Sequence, residues 1–245
     1  MRYYAHRGNS AHAPENTIAA FESAQRAGFE WLETDIDVTS DGQIRVLHDS
    51  HLDRTTNGSG LITEMAAAEV DRLDAGSWFG PEFAGQRIPT LEEFLDFIEQ
   101  SGLSVNIEIK PTPGGANAAR ILMKAAVAAF ERFPGRILIS SFNHVILSEL
   151  RHLSAGIPVA PLYPEGALPE GWLAVAQLMG ATAIHLGDGT PESGRALTKK
   201  DIAEVRELGF DASVYTITTP ERALELESWG ATGVFTNGEF GSNAH

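Results

Sequence analysis

Residues 31–38 read Trp-Leu-Glu-Thr-Asp-Ile-Asp-Val. A run this short and rich in β-formers reads as a strand, and in a strand residues i and i+2 share a face. Glu33 and Asp35 therefore point the same way, with Asp37 one step further on the same side. A second run, Asn106-Ile107-Glu108-Ile109-Lys110, puts Glu108 and Lys110 on one face in the same manner. Outward from these two, the chain alternates short β-rich runs with longer amphipathic stretches. Strands are predicted at Tyr3–Ala5, Trp31–Val38, Val105–Ile109, Arg136–Ser140, Pro158–Leu162, Ala183–Leu186, Ala212–Thr216 and Gly233–Thr236. Helices are predicted between them at Asn16–Ala27, Thr90–Gln100, Ala116–Arg132, Val145–Leu153, Glu170–Met179, Lys199–Leu208 and Pro220–Trp229. Thr219-Pro220-Glu221 carries a cap followed by Pro at the first helical position, and Gly28, Gly102, Gly180, Gly209 and Gly230 fall where helices should stop. Eight strands with crossover helices predict parallel βα units, and at 245 residues the natural closure is an α/β fold of the (β/α)₈ TIM-barrel type. A doubly wound open sheet is the competing architecture, but no Gly-x-Gly-x-x-Gly follows a strand.

The segment from Val38 to Thr90 breaks the repeat. It is polar, rich in Gly, Asp and Thr, and predicted to hold a small strand at Gln43–Leu47 and one short helix near Glu64–Leu73. We read residues 49–89 as an insertion after strand two of a single domain spanning 1–245. The tail Gly238–His245 reads as irregular. Composition narrows the partners. Lys and Arg total 18 against 33 Asp and Glu, a formal charge of −15, which disfavours nucleic acid and anionic membrane surfaces. Cysteine is absent, which excludes disulfides and thiolate metal sites. No apolar run nears the roughly 20 residues of a membrane span, and no apolar signal segment opens the chain. These readings make a soluble cytoplasmic protein the expectation.

The chemistry-bearing residues cluster at predicted strand ends. If Glu33, Asp35, Glu108 and Lys110 lie on barrel strands, they point either into the barrel or out at the helices. Charge buried among packed helices is costly, whereas at the C-terminal mouth charges are solvated and can converge. Three carboxylates from neighbouring strands suit a hard cation such as Mg²⁺ or Ca²⁺. Asp37 could be a ligand, a supporting group or a surface acid. His6 ends the first strand and His48 ends the Gln43–Leu47 strand, so two imidazoles reach the same mouth, as acid and base or as ligands. Arg7 offers a planar fork matched to phosphate oxygens and Lys110 a compact charge. Each piece alone has an ordinary reading: a loop with a glycine, a solvated acidic face, a surface ion pair of little energetic weight. Their joint placement is what points to a site for an anion.

Taken together, the pieces resemble the glycerophosphodiester phosphodiesterase family. His6-Arg7-Gly8, Pro14-Glu15-Asn16-Thr17 with Ala20-Phe21, Glu33-Thr34-Asp35, Leu47-His48-Asp49, Arg54-Thr55-Thr56 and Asn106 through Pro111 carry the likeness. Thr39 through Gly42, Asp74 through Trp78 and Ser140-Ser141-Phe142 extend it. The likeness is densest over residues 5–111 and strongest to the small cytoplasmic bacterial members. It implies a TIM barrel that hydrolyses glycerophosphodiesters to sn-glycerol 3-phosphate and an alcohol, through a cyclic phosphate. It implies His6 and His48 as the acid/base pair and Glu33, Asp35 and Glu108 as ligands of one Mg²⁺ or Ca²⁺. Arg7 and Lys110 become phosphate contacts, and Phe142 and Tyr215 line the substrate pocket. Asn16 reads as a helix cap, Glu15 as a group that could orient a neighbour, and His12 and His51 as loop residues.

Two positions depart from the family pattern. The seventh strand reads Tyr215-Thr216-Ile217-Thr218, with Thr in place of Asn, and the last ends Thr236-Asn237 in place of Thr-Asp. Both are expected on the rim, away from the metal set, and put the preferred head group in doubt. His185, ending strand six, could also face the mouth. Two other functions are open at this level: a phospholipase D-like lyase on lysophospholipids that stops at the cyclic product, and a catalytically silent phosphodiester-binding protein. Oligomeric state is not legible.

Overall fold

The computed structural model describes residues 1–164, 168–189, 195–238 and 240. Its strands are β1 (Arg2–His6), β2 (Trp31–Val38), β3 (Ile44–Val46), β4 (Ser104–Ile109), β5 (Ile137–Ser141), β6 (Val159–Tyr163), β7 (Ala183–Gly187), β8 (Asp211–Tyr215) and β9 (Gly233–Thr236). Its helices are α1 (Ile18–Arg26), α2 (Ala67–Val70), α3 (Leu91–Ser101), α4 (Gly115–Arg132), α5 (His144–Leu153), α6 (Trp172–Leu178), α7 (Lys199–Glu207) and α8 (Pro220–Trp229). Strand order runs β1-β9-β8-β7-β6-β5-β4-β2, and β1 pairs with β2 to close the ring. Eight strands are thus parallel in a closed barrel, and β3 lies antiparallel on β2 outside it. The predicted (β/α)₈ barrel is the observed fold. The predicted tail falls largely on residues 239 and 241–245, outside the described residues.

Local chemistry explains the boundaries. Thr90 accepts from Glu93 N while Glu93 Oε2 accepts from Thr90 N, a capping box that starts α3, and Gly102 in the left-handed region stops it. Thr219 caps α8, Pro220 opens it and left-handed Gly230 ends it. Leu32, Ile36 and Val38 of β2, with Val105, Ile107 and Ile109 of β4, pack outward against Leu91, Phe94 and Ile98 of α3 and Leu122 and Ala126 of α4. The helices cover the outer face of the sheet, so the alternate residues turn inward. Trp31, Leu138, Ala160 and Ala183 fill the lower bore.

The excursion between β2 and α3 holds β3, short 3₁₀ turns at Ile62–Glu64 and Pro81–Phe83, and α2. Leu47, Leu52, Ile62, Val70, Ala75 and Ile88 give it a core of its own. The predicted helix at 64–73 shrinks to the single turn of α2. The helix stops at its cap, Asp71, and Asp74 then accepts from Gly76 N, Ser77 N and Gly85 N, which folds the chain back.

His185 does not reach the mouth. It is fully buried in the bore, edge-on to Phe235 at 4.9 Å, and neither ring nitrogen has a hydrogen-bond partner among the described residues. Burial pushes it down to about 3. His185→Leu is therefore expected to stabilise the protein. Near pH 8 the ring is neutral folded and unfolded, and relieving its unpartnered nitrogens is worth about 1–2 kcal/mol. Near pH 5 the unfolded chain binds a proton that the folded one refuses, which adds roughly 2 kcal/mol to the gain. Urea unfolding at both pH values checks this, and equal gains at the two would refute it.

Candidate active site

After β1 the backbone turns through two left-handed residues, Arg7 (φ 58°) and Gly8 (φ 80°). A Cβ on Gly8 would lie 2.7 Å from the Ala20 backbone, so only glycine lets α1 approach so closely. The turn aims the Arg7 N–H at Glu33 Oε2, 2.9 Å away, and its guanidinium at Glu15 (2.9 Å) and Asp35 (3.8 Å). β2 turns Glu33 and Asp35 into the bore, and β4, whose Glu108 is in register with Asp35, adds the third acid. The three carboxylates are buried, and one oxygen from each lies within 4.8 Å of the others. Lys110 Nζ donates to Glu108 Oε1 at 2.7 Å and stands 3.5 Å from Asp35 Oδ1.

Two imidazoles flank this cluster. His6 Nε2 is 3.9 Å from Glu33 Oε2, while its Nδ1 lies 2.8 Å from Asn237 Oδ1. An amide oxygen only accepts, so the proton sits on Nδ1 and Nε2 is free to face the acids. His48 Nδ1 lies 2.5 Å from Asp49 Oδ1, which fixes the other imidazole in the same sense. One cleft of about 270 Å³ is lined by His6, Arg7, Glu33, His48 and Glu108, with Asn106, Ser140, Leu162 and Phe235 at its sides. Phe142 and Tyr215, edge to face at 6.1 Å, complete the wall, and Tyr215 Oη donates to Tyr163 O. Asp35 and Lys110 join from behind it. A larger groove of about 610 Å³ lies outside the barrel between α4 and α5, but its lining carries no histidine and one carboxylate, Glu149.

The charges perturb one another. Burial, then the charges of Asp35 and Glu108, raise Glu33 well above the carboxylate range. Burial and then Asp35 push Glu108 up to about 7. For Asp35, burial works against ionisation, yet Lys110, His48 and Arg7 hold it well below the usual range. Burial, helped by Arg7, pushes His6 down to about 4, and burial also lowers His48 against the pull of Asp35.

Several sequence readings are corrected. Asn16 does not cap α1: Thr17 does, accepting from Ala20 N. Asn16 instead sits at φ 56°, donates to Asp35 Oδ2 at 2.9 Å and accepts from Thr34 Oγ1 at 2.7 Å. Asn237 is not remote from the carboxylate cluster but holds His6, which flanks it, whereas Thr218 is an exposed loop residue. Asp37 stands outside the carboxylate trio and accepts from Ser50 Oγ, pinning the excursion. His12 and His51, read as loop residues, are indeed exposed and do not line the cleft. The sequence reading gave no role to Asp49 or Arg54. The available signals were the adjacency of Asp49 to His48 in Leu-His-Asp and the basic residue five positions beyond Asp49.

The model of the glycerophosphoryl diester phosphodiesterase family matches residues 6–238. A glycerophosphodiester phosphodiesterase of Bacillus subtilis is 32% identical over 244 residues, covering 95% of this chain and 82% of the relative. One from Caldanaerobacter subterraneus subsp. tengcongensis is 42% identical over 182 residues, 74% of this chain and 73% of the relative. Among solved structures, an Oleispira antarctica phosphodiesterase in complex with the product sn-glycerol-3-phosphate superposes with a TM-score of 0.88 at 31% identity, over 98% of this chain and 94% of that one.

Proposed function

The chain belongs to the glycerophosphoryl diester phosphodiesterase family, and from that premise we propose that it hydrolyses glycerophosphodiesters to sn-glycerol 3-phosphate and an alcohol at the barrel mouth. The observation that carries the reading is the meeting of three buried carboxylates with two tautomer-fixed imidazoles and a guanidinium in one cleft. The donor set fits a divalent metal ion. It is all oxygen, it leaves Asp35 Oδ1 buried without a hydrogen-bond partner, and burial together with the charge of Asp35 raises Glu33 and Glu108, a cost of ionisation that a hard cation offsets. We propose Glu33, Asp35 and Glu108 as the residues that hold one Mg²⁺ or Ca²⁺. Bound there, the ion would supply positive charge beside the phosphoryl oxygens.

The chain's own groups do the rest of the work. His6 and His48 are the acid/base pair. One neutral imidazole takes the proton of the glycerol 2-hydroxyl on Nε2 as the oxygen attacks phosphorus, and the other, entering the step as an imidazolium, gives its Nε2 proton to the departing alkoxide. The P–O bond to the ring oxygen forms, the bond to the alcohol breaks, and a cyclic phosphate results. Water then opens the ring with the two histidines in exchanged roles. Arg7 and Lys110 offset the charge that builds on the phosphoryl oxygens. Phe142 and Tyr215 line the pocket and exclude water from one side. The substrate is small and water-soluble, in keeping with a cytoplasmic site of action, and no described helix is long and apolar enough to cross a membrane.

The test is direct. Incubation with glycerophosphocholine or glycerophosphoethanolamine and Mg²⁺ or Ca²⁺ should release linear glycerol 3-phosphate, and a chelator should stop it. No release with either metal and either ester would sink the proposal. The aromatic cluster of Trp78, Phe79 and Phe83 on the excursion, with Trp78 42% exposed, favours the lyase reading, which cyclic phosphate from a lysophospholipid would support.

A further inference from the structure

We propose that Arg54 is a positioning residue that fixes His48 and Arg7 at once through a single guanidinium, an assignment that rests on the function proposed above. Arg54 lies in the excursion and touches none of the three clustered carboxylates. Its Nη1 and Nη2 donate to Glu15 Oε2 and Oε1, both at 2.7 Å, and its Nε donates to Asp49 Oδ2 at 2.5 Å. Each of these acids has a second commitment inside the cleft. Asp49 Oδ1 holds His48 Nδ1 at 2.5 Å, and Glu15 Oε1 accepts from Arg7 Nη1 at 2.9 Å. One cation therefore ties the acid/base imidazole, on the loop after β3, to the phosphate-facing guanidinium, on the loop after β1.

The fork geometry requires arginine. Two parallel bonds to Glu15 and a third to Asp49 use the fixed plane of the guanidinium, which a lysine ammonium cannot reproduce. The energetic role is small by comparison. The Arg54 side chain is 46% exposed, and Glu15, 12% exposed, keeps its bond from Arg7 without it, so little stability depends on the pair. Freed from Arg54, Asp49 and Glu15 face each other as two carboxylates, and each can swing away from the residue it holds. Partners of this kind, one step behind the reacting groups, typically contribute about 10–100-fold to activity.

Arg54→Ala is thus expected to lower kcat/KM for glycerophosphocholine by about 10–100-fold with little change in Tm. Arg54→Lys should behave like Arg54→Ala. Millimolar guanidinium should restore activity to Arg54→Ala and not to Arg54→Lys, whose amine blocks the space. Asp49→Asn should reproduce the kcat part of the loss and Glu15→Gln the KM part. An active wild type whose Arg54→Ala variant matches it in kcat and KM overturns this assignment alone, as does a loss that guanidinium does not reverse. Should Arg54→Ala fail to fold, Asp49→Asn decides: unchanged kcat overturns the proposal. A wild type inert toward both glycerophosphodiesters overturns the functional reading and this one with it.

Discussion

Alanine in place of His48 is expected to lower kcat by about 10²–10⁴-fold while the metal-induced rise in Tm is kept. The expectation follows from where the ring sits. His48 faces the cleft with Nε2, is held from behind by Asp49, and is not one of the clustered carboxylates. Its removal takes away a proton donor or acceptor and leaves the oxygen donors untouched. His6→Ala should cost a similar factor, and the double variant far less than the product of the two, because each step needs both. Asn237→Leu should mimic part of the His6 loss by removing the acceptor that fixes Nδ1–H, and Asn237→Asp should retain activity. Steady-state kinetics with thermal unfolding, with and without metal, check the set. Wild-type turnover by His6→Ala or His48→Ala would end the acid/base assignment.

Glu108→Gln is expected to do two opposite things: abolish turnover at metal concentrations that saturate the wild type, and stabilise the metal-free protein above pH 7. The sign comes from the raised carboxyl. Below about pH 4.5 Glu108 is protonated folded and unfolded and contributes nothing. As pH rises the unfolded carboxyl ionises while the folded one, pushed up to about 7, resists, so this group draws stability down until pH 7 and the loss then stays constant. Its full size is about 3 kcal/mol. Glutamine removes the charge and so the loss, but it also removes a donor from the trio. The wild-type gain in Tm on adding Mg²⁺ or Ca²⁺ should grow as pH rises toward 7, because binding must displace protons from the carboxyls. Thermal unfolding across pH, with metal and with chelator, reads both effects. A Glu108→Gln protein stabilised by metal as strongly as the wild type would remove Glu108 from the proposed ligands.

Much of this was legible in the chain itself. Strand and helix alternation placed every barrel strand to within a residue or so at each end, and the bounds of β2, β9 and α8 coincide with the predicted ones. That worked because hydrophobic period and cap chemistry are local properties. The two-residue period also put Glu33 with Asp35 and Glu108 with Lys110. It did not say whether those faces turned in or out, since the period is the same for both. Only closure of β1 on β2 and β9, with helices covering the outer face, forced the acids inward. Asn16 and Asn237 show the remaining limit. By local rules one was a cap and the other a rim residue, yet partners 19 and 231 positions away decide their roles. The sequence by itself determined which chemical groups exist and which side of each strand they share. Which groups meet was decided by the tertiary structure, because a hydrogen bond between residues far apart in the chain depends on how the whole barrel closes.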